Sequence, residues 1–426
     1  MKKIVGIFCF VILVISLSFI LWQLKDEKRL QIAIIDKTVP SESYREHLGF
    51  NWLLKTLKYV DSNNHSYQLD DYFGFKPNTS KKTYSINKLP HSYANEDLIY
   101  IADTYGVYQE DFPWIKKKRE GDRSNLVYGG LKMNEWKAIV NRLNEDKKST
   151  LVAEFNTLAS PTDEAVRNHM SSVLGIQGSG WMGRYFDELD YRKNNEIPKW
   201  LVDAYGDNWK YSGKGFILIN DKENKIVVLK TGEDIDDKGI WLKFTEQGKK
   251  AFHLDKSVKY NYWFDIVTSE DDSNVLANYD WNLTIKGKKK LMDENIPTSF
   301  VAVNRTHVKN ATSYYLAGDF NDISTVPNLY KMEGILTINK YAYRFSESSF
   351  YWDAYVPMMK TILKQAYENK TDQKEDVSKS KQTEKKDIHY SARISDDKME
   401  VNIQGKWQSM KIKGVNIGIA KPGYFP

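Results

Sequence analysis

A chain of 426 residues with 41% hydrophobic and 13% aromatic side chains has the apolar material for two or three packed domains, which excludes an intrinsically disordered protein. Its net charge of +6 is the small difference between 62 basic and 56 acidic residues. No Lys/Arg stripe interleaved with aromatics stands out, which argues against a nucleic-acid groove. The single cysteine, Cys9, lies in the apolar N-terminal run, so disulfides, cysteine nucleophiles and thiolate metal sites are excluded from the rest of the chain.

From Ile4 to Leu24 the chain reads IVGIFCFVILVISLSFILWQL, without a charge. About 20 such residues at 1.5 Å rise cross a hydrocarbon core of roughly 30 Å. Trp22 sits at the far end, where an indole favours the membrane interface. The run exceeds the roughly 7–15 apolar residues of a cleaved signal peptide, and no small-x-small site follows it. Phe8 before Cys9 argues against lipoprotein processing. Lys2 and Lys3 precede the run; Lys25, Lys28 and Arg29 follow it. The sequence therefore predicts residues 1–29 as a single transmembrane anchor in the cell membrane. Its N-terminus would be cytoplasmic and its C-terminal bulk outside, with the lipid bilayer as partner through the helix and room for a membrane-protein neighbour. A domain without cysteine suits a Gram-positive surface.

Next, Leu30 to Ile35 forms an apolar run ending in Asp36, and Ser43-x-x-Glu46 reads as a capping box opening a helix through Tyr59. Asp97 to Ala102 ends in Asp103, and Leu131 to Leu143 is an amphipathic helix. Thr150 to Ala153 runs into Glu154 and Asn156, and Ser160-Pro161-Thr162-Asp163 starts another helix. Strands alternating with amphipathic helices predict an α/β fold, a mainly parallel sheet flanked by helices. Gly178-Ser179-Gly180 reads as a turn, and Arg184 with Asp187 as a buried ion pair. Gly215 to Asn220 and Lys225 to Lys230 read as a β-hairpin, the start of a hairpin-rich insertion. Strands follow at Tyr260 to Val267, Val275 to Trp281 and Ser299 to Val303, and Tyr314 to Asp319 reads as a strand returning to the main sheet. An aromatic-rich helix from about Phe350 to Tyr367 closes a domain spanning residues 30–367. Residues 368–387 are a charged, solvated linker, and residues 388–426 hold two short strands, a turn at Gly405-Lys406 and a third strand.

The closing segments Val275 to Ala277, Ser299 to Val303 and Tyr314 to Phe320, together with the polar strand ends and the hairpin insertion, resemble the class I glutamine amidotransferase-like α/β fold. The variety is the one that accompanies carbohydrate-active enzymes, and the resemblance covers roughly residues 30–365. Active members carry a cysteine in a tight turn after a strand, paired with His and Glu. The matching turn here, Ala153-Glu154-Phe155-Asn156, lacks that nucleophile. The tail is similar to the start of a glycoside-hydrolase barrel, where a hairpin leads into a first strand reading Lys-Gly-Val-Asn, as Lys413 to Asn416 do. The paired carboxylates of glycoside hydrolysis would lie on later strands. The resemblance implies that this chain is a truncated form of a longer protein.

In an open α/β sheet, ligands bind at the carboxyl ends of the strands. Asp36, Asp103, Thr104, Tyr105, Glu154, Asn156 and Asp319 fall on that edge and form the candidate ligand-binding set. Acids and amides suit sugar hydroxyls, although strand-end Asp and Asn also cap helices and shape loops. The seven histidines include no HExxH, which argues against zinc, and there is no GxSxG elbow. No cofactor or metal is expected. The leading expectation is a non-catalytic module binding carbohydrate or a partner in cell-surface polysaccharide or cell-wall processes. The alternatives are an enzyme, either a divergent hydrolase using Asp103 and Glu154 or the leading part of a glycosidase, and a structural tether.

Overall fold

The computed structural model describes residues 2–116, 124–220, 223–236, 239–386, 390–395, 398–403 and 406–411. Helix α1 (Lys2–Gln23) holds the apolar run. Its C-terminal end is docked on protein: Trp22 is buried, its indole N–H donates to Thr56 O at 2.8 Å, and its ring meets Tyr330 edge-on. Ser18 Oγ donates to Glu333 O at 2.5 Å, and the Glu333 N–H returns to Ser18 O at 3.1 Å. Among the described residues, no helix is long and apolar enough to cross a membrane. That corrects the transmembrane anchor, and with it the single-pass topology and the membrane location that followed from it. Physically, hydropathy treats the whole run as free for lipid, whereas its last turns are engaged by the protein.

Strands β1 (Lys28–Arg29) and β2 (Ile32–Asp36) lead into helix α2 (Arg45–Thr56) and strand β3 (Tyr59–Val60), which pairs with β1. α2 begins after Tyr44, at φ 52°, with no side-chain cap, so the expected Ser43/Glu46 capping box does not form. Then come β4 (Phe73–Asn78), β5 (Thr83–Asn87), β6 (Leu98–Asp103), the small pair β7 (Val107–Tyr108) and β8 (Leu126–Tyr128), helix α3 (Met133–Leu143), β9 (Ser149–Glu154) and helix α4 (Glu164–Leu174). The runs IAIID, LIYIAD and STLVAE are buried along their whole length, as expected of strands covered on both faces. Apolar positions on α3 recur at helical spacing and bury Trp136, Ile139 and Leu143.

The chain continues through β10 (Ile176–Phe186), α5 (Lys199–Tyr205), β11 (Gly215–Asn220), β12 (Lys225–Lys230), β13 (Ile240–Phe244), α6 (Glu246–Phe252), β14 (Val258–Tyr260), β15 (Phe264–Ser269), β16 (Val275–Asp280), α7 (Ile285–Asp293), β17 (Ser299–Val308) and β18 (Ala311–Leu316). Gly178 to Gly180 lie inside β10, where the register against β15 shifts, so the expected turn is a strand irregularity instead. Arg184 pairs with Glu196, and the exposed Asp187 pairs with Lys214 at 3.0 Å, in place of the expected buried pair between Arg184 and Asp187. β11 and β12 form the hairpin, with Gly215 opposite Lys230.

Ten strands make the main sheet, in the order β14-β13-β16-β17-β18-β9-β6-β2-β4-β5. The pairs β18/β9, β9/β6, β6/β2 and β2/β4 are parallel, and the others are antiparallel. The fold is thus mixed α/β with several sheets, a correction to the mainly parallel sheet expected. The reason lies in the connections: β17 turns straight into β18 through Lys309 (φ 50°) and Asn310, and a link that short joins only antiparallel neighbours. A second sheet, β12-β11-β10-β15, is antiparallel throughout.

Helix α8 (Ile335–Ala342), a π-helical turn at Tyr351–Tyr355 and helix α9 (Val356–Lys386) follow, with α9 running on through the charged stretch. The chain divides into two compact units, Met1–Lys370 and Thr371–Pro426. The second contains an antiparallel sheet of β19 (Tyr390–Ser395), β20 (Lys398–Ile403) and β21 (Lys406–Lys411). The Lys413 to Asn416 phrase lies outside the described residues.

Candidate functional site

Three neighbouring parallel strands end in a carboxylate: β2 in Asp36, β6 in Asp103 and β9 in Glu154. Their relative exposures are 0%, 2% and 1%, so none is a surface acid. Asp36 Oδ1 accepts the Thr38 N–H at 2.9 Å, and Oδ2 lies 2.6 Å from His47 Nδ1. His47 Nε2 is 2.9 Å from Leu69 O, so both ring nitrogens face acceptors.

Asp103 Oδ1 accepts Thr38 Oγ1 at 2.5 Å and the Tyr105 N–H at 2.6 Å, while Oδ2 accepts Asn156 Nδ2 at 2.8 Å. Burial pushes Asp103 up to about 7 against the pull of these donors. Asn156 takes a left-handed φ of 69°, tolerable for Asn, which aims its amide back at β6. Thr104 is fully buried, with its hydroxyl 3.3 Å from Asn156 O, whereas Tyr105 is 41% exposed and its ring centre lies 5.0 Å from that of Tyr108, tilted by 40°. Glu154 Oε1 accepts the Tyr100 hydroxyl at 2.6 Å, and Oε2 accepts the N–H groups of Phe320 and Asn321 at 3.2 Å each. Burial raises Glu154 to about 8 in spite of these three donors.

Asp319 follows β18 and is only partly buried. Burial, then the charges of Asp322, Asp103 and Glu154, hold its carboxyl well above the usual range. The structure thus gathers the predicted residues along one edge and sorts them. Asp36, Asp103, Thr104 and Asn156 are joined through Thr38 in one hydrogen-bonded network, and Glu154 is held separately by Tyr100, Phe320 and Asn321, whereas Asp319 and the ring of Tyr105 reach the outside.

Sequence reasoning missed the outer layer. Glu46, in the first turn of α2, has Oε2 buried with no hydrogen-bond partner, and burial together with Asp322 and Asp319 holds it far above the usual range. Arg45 grips Asp322 bidentately, with Nε to Oδ1 at 2.7 Å and Nη2 to Oδ2 at 2.9 Å. Its Nη2 also lies 3.4 Å from the Tyr262 hydroxyl. The Arg184 guanidinium sits 4.7 Å from the Tyr262 ring centre, 5.0 Å from that of Phe186 and 5.8 Å from that of Trp263. Trp263 runs nearly parallel to Phe155, and its carbonyl accepts the Asp319 N–H at 3.1 Å. The one sequence signal was the acidic spacing Asp319-x-x-Asp322, and the Glu46 signal was absorbed into a cap.

No family model matches the chain, and no curated protein matches it. Among solved structures it is similar to a beta-galactosidase from Bacillus circulans sp. alkalophilus, at 11% identity over 70% of this chain and 30% of that one, with a TM-score of 0.28. It is also similar to an exo-beta-1,4-mannosidase from Opitutaceae bacterium strain TAV5, at 8% identity over 77% of this chain and 35% of that one, with a TM-score of 0.28. The chain spans about a third of the length of each. Both neighbours are glycoside hydrolases by name, and likeness at this level assigns this chain no activity. The amidotransferase-like resemblance has no support from these neighbours.

Proposed function

We propose that the carboxyl edge of the parallel strands, with Asp319, Glu46, Arg184, Tyr262 and Trp263, is a non-catalytic carbohydrate-binding site. The observation that carries this reading is the pairing of partly exposed acceptors with aromatic faces: Asp319 is bonded through its N–H to Trp263, whose ring and that of Tyr262 flank Arg184. Sugar hydroxyls donate to carboxylates, their C–H faces lie on aromatic rings, and a guanidinium supplies donors in a fixed fork.

Against the hydrolase alternative stand Asp103 and Glu154. A general acid must reach the glycosidic oxygen. Both carboxylates are sealed from solvent, and internal donors occupy both oxygens of each. Their role in this reading is to hold the edge rigid.

Calorimetric titration of the full chain with neutral oligosaccharides of cell-surface type tests the proposal. Binding that weakens about tenfold or more in Trp263→Ala and Asp319→Asn is expected, with no release of reducing ends. Absence of binding across the set overturns the reading. Release of reducing ends abolished by Glu154→Gln establishes the hydrolase instead.

A further inference from the structure

The outer carboxylates have a geometry of their own. Glu46 comes from the first turn of α2, and Asp319 and Asp322 come from the loop after β18, so the tertiary fold brings together acids more than 270 positions apart in sequence. One carboxylate oxygen from each of the three lies within 4.8 Å of the others. Oxygens bound to one cation at roughly 2.3–2.6 Å are at most about 5 Å apart, so the spacing is that of a shared coordination sphere.

A second observation is independent of the clustering. Glu46 Oε2 is shut off from solvent and receives no hydrogen bond. A buried carboxylate oxygen without a donor is costly, and natural folds supply such atoms with a partner. Arg45 is held in a bidentate grip by Asp322, whose side chain is 4% exposed. Each Asp322 oxygen keeps a second lone pair for another ligand.

We propose that Glu46, Asp319 and Asp322 form a binding site for a hard divalent cation, calcium in preference. The donor set is all oxygen, with no imidazole or thiolate, which selects against zinc and copper. Calcium accepts irregular geometry and makes up its shell with water, while magnesium demands a near-ideal octahedron. The proposal does not rest on the sugar reading, since its test contains no sugar.

The test is calorimetric titration of the EDTA-treated full chain with calcium chloride, and separately with magnesium chloride, alongside thermal melts with and without each ion. One calcium bound per chain, with a rise in Tm larger than magnesium or an equal ionic strength of sodium chloride gives, is expected. Glu46→Gln and Asp319→Asn should each weaken calcium binding about tenfold or more. Their melts without calcium should equal or exceed that of the unaltered chain, because each removes a buried carboxyl whose ionisation burial and its acidic neighbours oppose, and this separates a lost site from a lost fold. Absence of saturable binding at millimolar calcium, an equal response to all three salts, or unchanged binding in both variants overturns the proposal.

Discussion

Tyr100 donates its phenolic hydrogen to Glu154 Oε1 at 2.6 Å across the neighbouring parallel strands β6 and β9. The same hydroxyl lies 3.1 Å from that of Tyr355 in the π-helical turn, which ties the closing helix to the floor of the site. Tyr100→Phe keeps the ring and deletes one donor to a buried carboxyl. Stability should fall by about 1–3 kcal/mol. Denaturant titration should show the larger loss at pH 9 than at pH 5, because the ionised carboxylate depends most on the donor.

Buried acids with raised values make the fold prefer mild acid. Glu154 is lifted from 4.5 to about 8 and Asp103 from 3.8 to about 7, in each case chiefly by burial. Between the ordinary and the raised value the native state holds a proton that the unfolded chain has released, so this stability is fully present at low pH and is lost as pH rises through the folded value. Tm should therefore decline from pH 5 to pH 9. Glu154→Gln should flatten the decline across the interval between its ordinary value of 4.5 and its raised value of about 8, with the effect fading as pH passes the raised value. The amide fits, its oxygen accepting Phe320 and Asn321 and its NH₂ donating to Tyr100. A Tm that climbs over this range would contradict the assignment.

Gly49 is the point where α2 approaches the closing helix. A Cβ there would stand 2.4 Å from Asn321 Oδ1 and 2.5 Å from a Tyr351 ring carbon. The Tyr351 hydroxyl also donates to Gly49 O at 2.8 Å. Alanine is the better helix former by about 1 kcal/mol. The overlap outweighs that gain, and Gly49→Ala should destabilise by about 1–3 kcal/mol in a thermal or denaturant melt.

Trp22 fastens the end of α1 through its bond to Thr56 O, its edge contact with Tyr330 and the Lys58 ammonium 4.9 Å from its ring centre. Losing the bond and the ring contact removes about 1.5 kcal/mol or more. Trp22→Ala should then speed tryptic cleavage at Lys25 and Lys28 about tenfold, with the Tm of the main unit within a few degrees.

The site was legible where it lay at strand ends. Asp36, Asp103 and Glu154 each close a short apolar run, and each is the last residue of its strand. Their division into sealed and open groups was not legible, because it depends on which donors the fold delivers, such as the Phe320 and Asn321 N–H groups to Glu154. Glu46 had a plausible local role as a cap, and local spacing carries no sign of Asp319 and Asp322 waiting across the chain. The direction of β16 and β17 was hidden for a related reason: both are buried over most of their length, so each reads as the near-continuous apolar run that a parallel strand also shows. Hydropathy likewise registers the apolar character of Ile4 to Leu24 and is blind to the Ser18 and Trp22 contacts.

A ten-stranded open sheet has two outer rims where backbone groups invite another chain to pair. Here both rims are blunt. On one side β14 is only three residues long, with Lys259 at its centre and Lys256 close before it. On the other, β5 has exposed Thr83, Tyr84 and Ser85 and is preceded by Lys81 and Lys82, while Pro77 sits on the adjoining β4. Short length and repelling lysines deny a neighbouring molecule a long ladder to extend, so this sheet resists edge-to-edge polymerisation even at high local concentration.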